Sequence, residues 1–171
     1  NDVGTNISTC AWLARRVTNG TRIHMTAPTE EQREFLTSHR LVIVGVERDS
    51  GPPSLSPSYY VMDGQDMLIS TTSKRQKARS VRKNPEITLC VLDESFPFPY
   101  LTVYGKGAID DDPTAALDVI IRIRERVSGK PLDEAGRKQA AETVEQEGRV
   151  ALRVTPERFF STPARAGQRR S

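Results

Sequence analysis

The Asp63-Gly64 step, set between two β-rich segments, is the tightest constraint this chain places on its fold. Asp-Gly supplies the positive φ that a short hairpin turn requires, so the flanking segments must pair antiparallel. Residues 54–62 begin polar and end aromatic at Tyr59 and Tyr60, while Asp66–Thr72 is apolar at Leu68 and Ile69 and ends in hydroxyls. Side chains alternate along a strand, so one of Tyr59 and Tyr60 must face the interior and the other a site or a neighbour.

Further strands follow the same logic. Leu41–Val46 is β-branched and nearly continuous, which predicts burial on both faces. Glu86–Leu92 is apolar, residues 100–109 alternate with Gly105 and Gly107 marking a bulge, and residues 150–154 form a last strand before a short turn at 156–160. Thr29-Glu30-Glu31-Gln32 starts a helix with Phe35 and Leu36 on its apolar face. Asp112-Pro113 opens a second, running to about residue 127, and residues 133–146 form a third. Six strands, several linked as hairpins, with helices at intervals, predict an α+β protein: a six-stranded antiparallel barrel with peripheral helices. The chain shows no internal repeat, and residues 25–163 read as one domain. Residues 1–24 read as an extension, disordered or added upstream, because the apolar piece at 10–14 is too short for a signal sequence and polar residues follow Arg15-Arg16. Residues 164–171 read as a disordered basic tail.

The chemistry concentrates in residues 68–85. A hydroxyl cluster (Ser70, Thr71, Thr72, Ser73) runs into a short helix carrying Lys74, Arg75, Lys77, Arg79, Arg82 and Lys83 with no acid among them. A hydroxyl-rich turn entering the positive end of a helix is suited to hold a phosphate. Net charge is only +3 over 171 residues, so this is a local concentration and not a nucleic-acid-coating surface. Nor are aromatics interleaved with the cations as a stacking platform requires. A charge run is often a solvated face; the preceding turn favours phosphate binding for Arg75 and Lys77, and leaves Arg79, Arg82 and Lys83 nearer the solvated reading.

Other chemistries find little support. His24 and His39 are the only histidines, and neither has Asp, Glu or Cys at ligand spacing, so no metal site is expected. Cys10 and Cys90 lie far apart, with Cys90 in an apolar run as a buried thiol, which points to a reducing cytoplasm. No apolar run reaches membrane-spanning length.

With these residues in place, the chain resembles the pyridoxamine 5′-phosphate oxidase-like split β-barrel superfamily of flavin and deazaflavin proteins, from about Glu30 to Pro163. Four segments carry the resemblance. Residues 53–61 are similar to the family's second strand before an Asp-Gly hairpin. The stretch from Ser70 to Pro85 is similar to Ser-Thr-x-x-x-Arg-x-Lys-x-Arg-Asn-Leu-Arg-Arg-Asp-Pro, with Ser80 where Asn is usual. Residues 98–108 are similar to the aromatic-x-Tyr-x-x-Val-x-Gly-x-Ala strand, and residues 158–163 to the closing motif. The second and third look most like the branch that uses coenzyme F420.

The resemblance implies a homodimer with its cofactor at the subunit interface. Ser70, Thr71 and Thr72 would contact the cofactor's phosphate or tail, and Arg75 and Lys77 its acidic groups. Ser54, Leu55, Ser56, Pro57 and Ser58 would run beside the ring as backbone contacts. Phe98, Pro99 and Tyr100 would reach the cofactor of the other subunit. Hydride transfer from reduced F420 to a small unsaturated or aromatic substrate is the implied activity, with protons from Tyr59, Tyr60, Tyr100 or solvent. The alternatives are an FMN-binding oxidoreductase of the same group, or a non-catalytic protein that stores a flavin, deazaflavin or haem.

Overall fold

The chain, a computed structural model describing residues 27–96 and 98–161, folds as a closed six-stranded antiparallel barrel with four helices. The expected extension at 1–24 and tail at 164–171 lie outside the described residues. In chain order the elements are α1 (Glu30–Ser38), β1 (Leu41–Val46), β2 (Ser54–Asp63), β3 (Asp66–Thr72), α2 (Gln76–Lys83), β4 (Glu86–Leu92), β5 (Tyr100–Asp110), α3 (Pro113–Ser128), α4 (Glu134–Glu147) and β6 (Arg149–Ser161). Around the wall the strands follow the order β1-β2-β3-β6-β5-β4.

Local chemistry sets the boundaries. Thr29 and Gln32 form a reciprocal capping box on α1. The Asp112 carboxylate accepts from the Thr114 N–H with Pro113 in the first turn of α3, and Asp133 caps α4 in the same way. Gly64 holds φ 62° at the β2–β3 hairpin, the left-handed geometry that the Asp-Gly pair was expected to provide.

Alternate residues of the strands fill the barrel: Val42, Val44, Val46, Tyr60, Met67, Ile69, Leu89, Val91, Leu101, Val103, Leu152 and Val154 are all buried there, with Leu36 of α1 and Val81 of α2 plugging gaps. Outside, α3 covers Val61, Leu68 and Ala151 of β2, β3 and β6, and α4 packs on α3. Among the described residues no helix covers the outer faces of β1 and β4. For that reason the expectation that β1 is buried on both faces fails: Val42, Val44 and Val46 enter the core, but Leu41 is exposed and Ile43 and Gly45 are half-buried.

The turn expected at residues 156–160 is also corrected. β6 continues to Ser161, because β5 is long enough to pair with it out to Leu101. The register slips between Tyr104 and Gly105, the bulge expected at that glycine, and Pro156 sits in the slip where a strand tolerates it. A Cβ on Gly105 would lie 2.3 Å from the Thr155 carbonyl oxygen, so only glycine fits.

Candidate functional site

β2 and β3 part company beyond their hairpin. They pair from Asp63↔Asp66 only as far as Tyr60↔Ile69, and neither the first half of β2 nor the hydroxyl end of β3 enters that ladder. Residues 54–59 pair with β1 on one side, which leaves their other backbone edge turned to the gap. The barrel is split there, and α2 lies across the split.

Lys77 of α2 is only 4% exposed, and its ammonium donates to the Ser58 hydroxyl on the far side of the gap. Ser58 pairs with the core residue Val42, so its side chain points to the inner side of the wall. Among the described residues no carboxylate pairs with Lys77. Burial, with the like charge of Arg75 beside it, lowers its pKa to about 8. On the opposite lip, Thr71 has the same strand parity as the core residues Met67 and Ile69, is 1% exposed, and its Oγ1 has no hydrogen-bond partner. Native proteins rarely leave a buried hydroxyl without a hydrogen-bond partner, or a buried cation without a counter-charge. Here both kinds occur at one split. No side chain caps the N-terminus of α2.

The six cations of the 74–83 stretch separate into groups. Arg82 pairs with Asp111 and Lys83 with Asp49, both at the surface, and Arg79 donates to Gln76 at 2.8 Å. Those three carry structural contacts. Arg75 and Lys74 are exposed at the elbow without an ion pair among the described residues. Ser80 ties the helix down, donating to the Glu47 carbonyl at 2.5 Å and accepting from Gln76 at 2.9 Å. Alternation divides the hydroxyl cluster as well: Ser70 and Thr72 face outward, opposite in sense to Thr71. Sequence reasoning missed Arg149, whose Nη1 donates to Ser70 Oγ at 3.1 Å. Nothing local marked it, since it is 79 residues away and arrives only through β3–β6 pairing.

Within one chain the remaining expected residues do not join this group. β1 and β4 stand between β2 and β5, so Tyr100 lies about 14 Å round the wall, three strand spacings, and on its outer side. Phe98 is exposed, holds φ 60° and meets Phe96 edge-on at 5.8 Å. The Pro99 carbonyl accepts from Asp93 N–H at 2.9 Å. Leu55 and Pro57 face outward while Ser54, Ser56 and Ser58 face inward. Of the tyrosines, Tyr60 is buried with its hydroxyl donating to the Leu36 carbonyl at 2.7 Å, and burial pushes its pKa far up; Tyr59 is exposed, as alternation required. Tyr60 therefore has no proton to give a surface site.

The bare outer wall is apolar. Leu41 pairs with Tyr59 and Leu92 with Tyr100, and all four are exposed, with Phe160 alongside. A shallow cleft of about 500 Å³ opens on this side against Gly45, Leu55, Ile87, Thr88 and Tyr104, with the Arg158 guanidinium 4.5 Å over the Tyr104 ring.

Residues 28–162 match the pyridoxamine 5′-phosphate oxidase family. The chain belongs to that family. Comparison with curated protein sequences finds no match. Among solved structures it is similar to a conserved hypothetical protein of Mycobacterium tuberculosis, at 21% identity and TM-score 0.70, over 86% of this chain and 91% of that one. It is also similar to an F420 reductase, at 27% identity and TM-score 0.61, over 78% and 98% of the two chains. The haem storage protein of Vibrio cholerae shares the fold at 17% identity and TM-score 0.59, over 76% and 91%.

The split suits the phosphorylated cofactor of a pyridoxamine 5′-phosphate oxidase-family protein. A buried ammonium, a buried hydroxyl lacking an acceptor or donor, and an uncapped helix start are the donor set that a phosphate needs. The unladdered edge of β2 adds a row of main-chain groups for the polar rim of a flat ring.

Proposed function

We propose that this protein is an F420-dependent oxidoreductase that acts on a small unsaturated or aromatic substrate as a homodimer. The observation that carries the reading is Lys77, a buried cation without a carboxylate, reaching across the split to Ser58. The F420 reductase neighbour supports the choice of cofactor, and so does the number of cations at the elbow, which exceeds what one phosphate uses.

When bound, a deazaflavin supplies two-electron hydride chemistry; the protein supplies binding, orientation and exclusion of water. Lys77, Thr71 and the N-terminus of α2 hold the phosphate. Arg75 neutralises acidic groups beyond it. The edge formed by Ser54, Leu55, Ser56, Pro57 and Ser58 would hold the ring through main-chain groups. Pairing of two bare apolar walls would bring Phe98, Pro99 and Tyr100 of one subunit toward the split of the other and bury the exposed Leu41, Leu92 and Tyr59. Tyr59 and Tyr100 would then stand at the interface as proton sources, with solvent as the alternative.

Equilibrium titration with F420 and with FMN, followed by mixing of reduced F420 with a panel of quinones and enones, tests the reading. Submicromolar F420 binding with turnover of at least one acceptor is expected; tighter binding of FMN would move the assignment to an FMN oxidoreductase of the same family.

A further inference from the structure

The β3–α2 elbow holds more cations than the split can use, and one of them comes from a distant part of the chain. Arg149 opens β6 directly opposite Thr72 and so shares the outward face of Thr72 and Ser70. The Gly148 carbonyl accepts from the Ser73 N–H at 3.0 Å, which pins the start of β6 against the elbow. Beyond its bond to Ser70, the Arg149 guanidinium pairs with Glu147 at 2.8 Å, while its Nε is buried without an acceptor. The Glu147 side chain is 48% exposed, and an ion pair of that kind contributes little and yields readily to a competing anion. Lys74 and Arg75, the next cations along the elbow, have no acidic partner among the described residues.

Lys77 inside the split, Arg75 and Lys74 on the elbow and Arg149 on the outer wall therefore form a track. A ligand ending at a single phosphate engages only its inner end. A ligand with carboxylates spaced beyond the phosphate can engage all of it, and Arg can take a carboxylate through two parallel N–H donors. We propose that Arg149 is the outer anchor for the cofactor's tail, binding a carboxylate beyond the phosphate and setting a preference for a glutamylated deazaflavin over a cofactor that ends at its phosphate. The assignment rests on the deazaflavin reading above. Glu147 acts in it as the displaceable internal anion.

The test is fluorescence titration of the full chain, its Arg149→Gln and Arg149→Lys variants, and Glu147→Gln, with two probes: F420 bearing two or more glutamates, and the deazaflavin phospholactate without glutamates. Arg149→Gln should weaken the glutamylated form about tenfold or more and the glutamate-free form by less than twofold. Arg149→Lys, which keeps the charge and the wall contact but loses the fork, should fall between, and Glu147→Gln should tighten the glutamylated form. Thermal melts of each variant separate lost binding from lost folding. Equal losses for both probes, or no loss for either, overturn the role of Arg149 while leaving the cofactor reading intact. Failure of the parent chain to bind either probe overturns the cofactor reading and this assignment with it.

Discussion

The ammonium of Lys77 donates to the hydroxyl of Ser58 across a gap that no strand ladder bridges. A helix residue and a strand residue are thus joined by a charged hydrogen bond inside a wall that elsewhere closes by backbone pairing. An unbalanced charge in such a place destabilises the protein by itself and stabilises it once an anion arrives.

Lys77→Met tests that trade. The variant keeps most of the stem's packing and removes the buried charge, so the ligand-free protein should melt at the same temperature or higher. Its cofactor affinity should fall roughly ten- to a hundredfold, because a hydrogen bond to a charged group contributes about 1.5–3 kcal/mol. A lower melting temperature with unchanged affinity would make Lys77 a structural residue.

The lowered pKa of Lys77 gives a pH signature with a definite sign. Its folded value is about 8 against an ordinary 10.5. Between those values the unfolded chain binds more protons than the folded one, so stability of the ligand-free protein should rise with pH across that window. Cofactor affinity should move the other way, falling above about pH 8 as the ammonium that meets the phosphate loses its proton. Chemical denaturation and titration at matched pH values read both slopes, and Lys77→Met should flatten them.

Thr71→Val probes the other lip of the split. The hydroxyl has no protein partner, so its replacement by an isosteric methyl should cost the ligand-free protein nothing and can raise its melting temperature. Cofactor binding should weaken by about ten- to a hundredfold, because a hydrogen bond to a charged phosphate contributes about 1.5–3 kcal/mol. Unchanged affinity would show that Thr71 serves packing alone.

Much of this arrangement was legible in the sequence, and the failures have physical causes. Local chemistry announced the hairpin at Asp63-Gly64, the caps at Thr29, Asp112 and Asp133, and the bulge at Gly105. The hydroxyl-to-cation stretch marked the elbow, and alternation required Tyr59 and Tyr60 to part. What local chemistry does not encode is which side of a strand a helix will cover. Hence β1, apolar throughout, looked buried on both faces although its outer face is bare. The length of β6 was hidden for a similar reason, since Pro156 reads as a strand breaker until its own strand bulges opposite Tyr104 and Gly105 of β5. Arg149 could not be placed near Ser70 without knowing that β3 and β6 are neighbours.

Gly105→Ala tests the bulge. The new Cβ would fall 2.3 Å from a backbone oxygen, and backbone cannot yield as a side-chain end would. The substitution should cost about 1–3 kcal/mol, the range for overpacking, and shift the denaturation midpoint without touching the split. Gly64→Ala should also destabilise, by strain at positive φ, although nothing lies within 4 Å of its Cβ. Cofactor affinity measured well below each midpoint should stay at the parent value.

The bare wall gives the last prediction. Leu41, Tyr59, Leu92 and Tyr100 are exposed in adjacent pairs on β1, β2, β4 and β5, and monomers rarely leave a contiguous apolar surface of that kind open. A twofold dimer buries it symmetrically, and a lysine placed in such an interface meets apolar contacts and a second like charge from the symmetry-related copy. Light scattering should therefore find the parent chain at twice its monomer mass and the Leu41→Lys/Leu92→Lys double variant at the monomer mass. Neither leucine belongs to the split, so a monomer that built its whole cofactor site from one chain would keep its affinity. Because Phe98, Pro99 and Tyr100 lie about 14 Å round the wall from β2, the dimer reading requires the double variant to lose affinity by tenfold or more. A monomeric parent with full affinity would place the entire site within one chain.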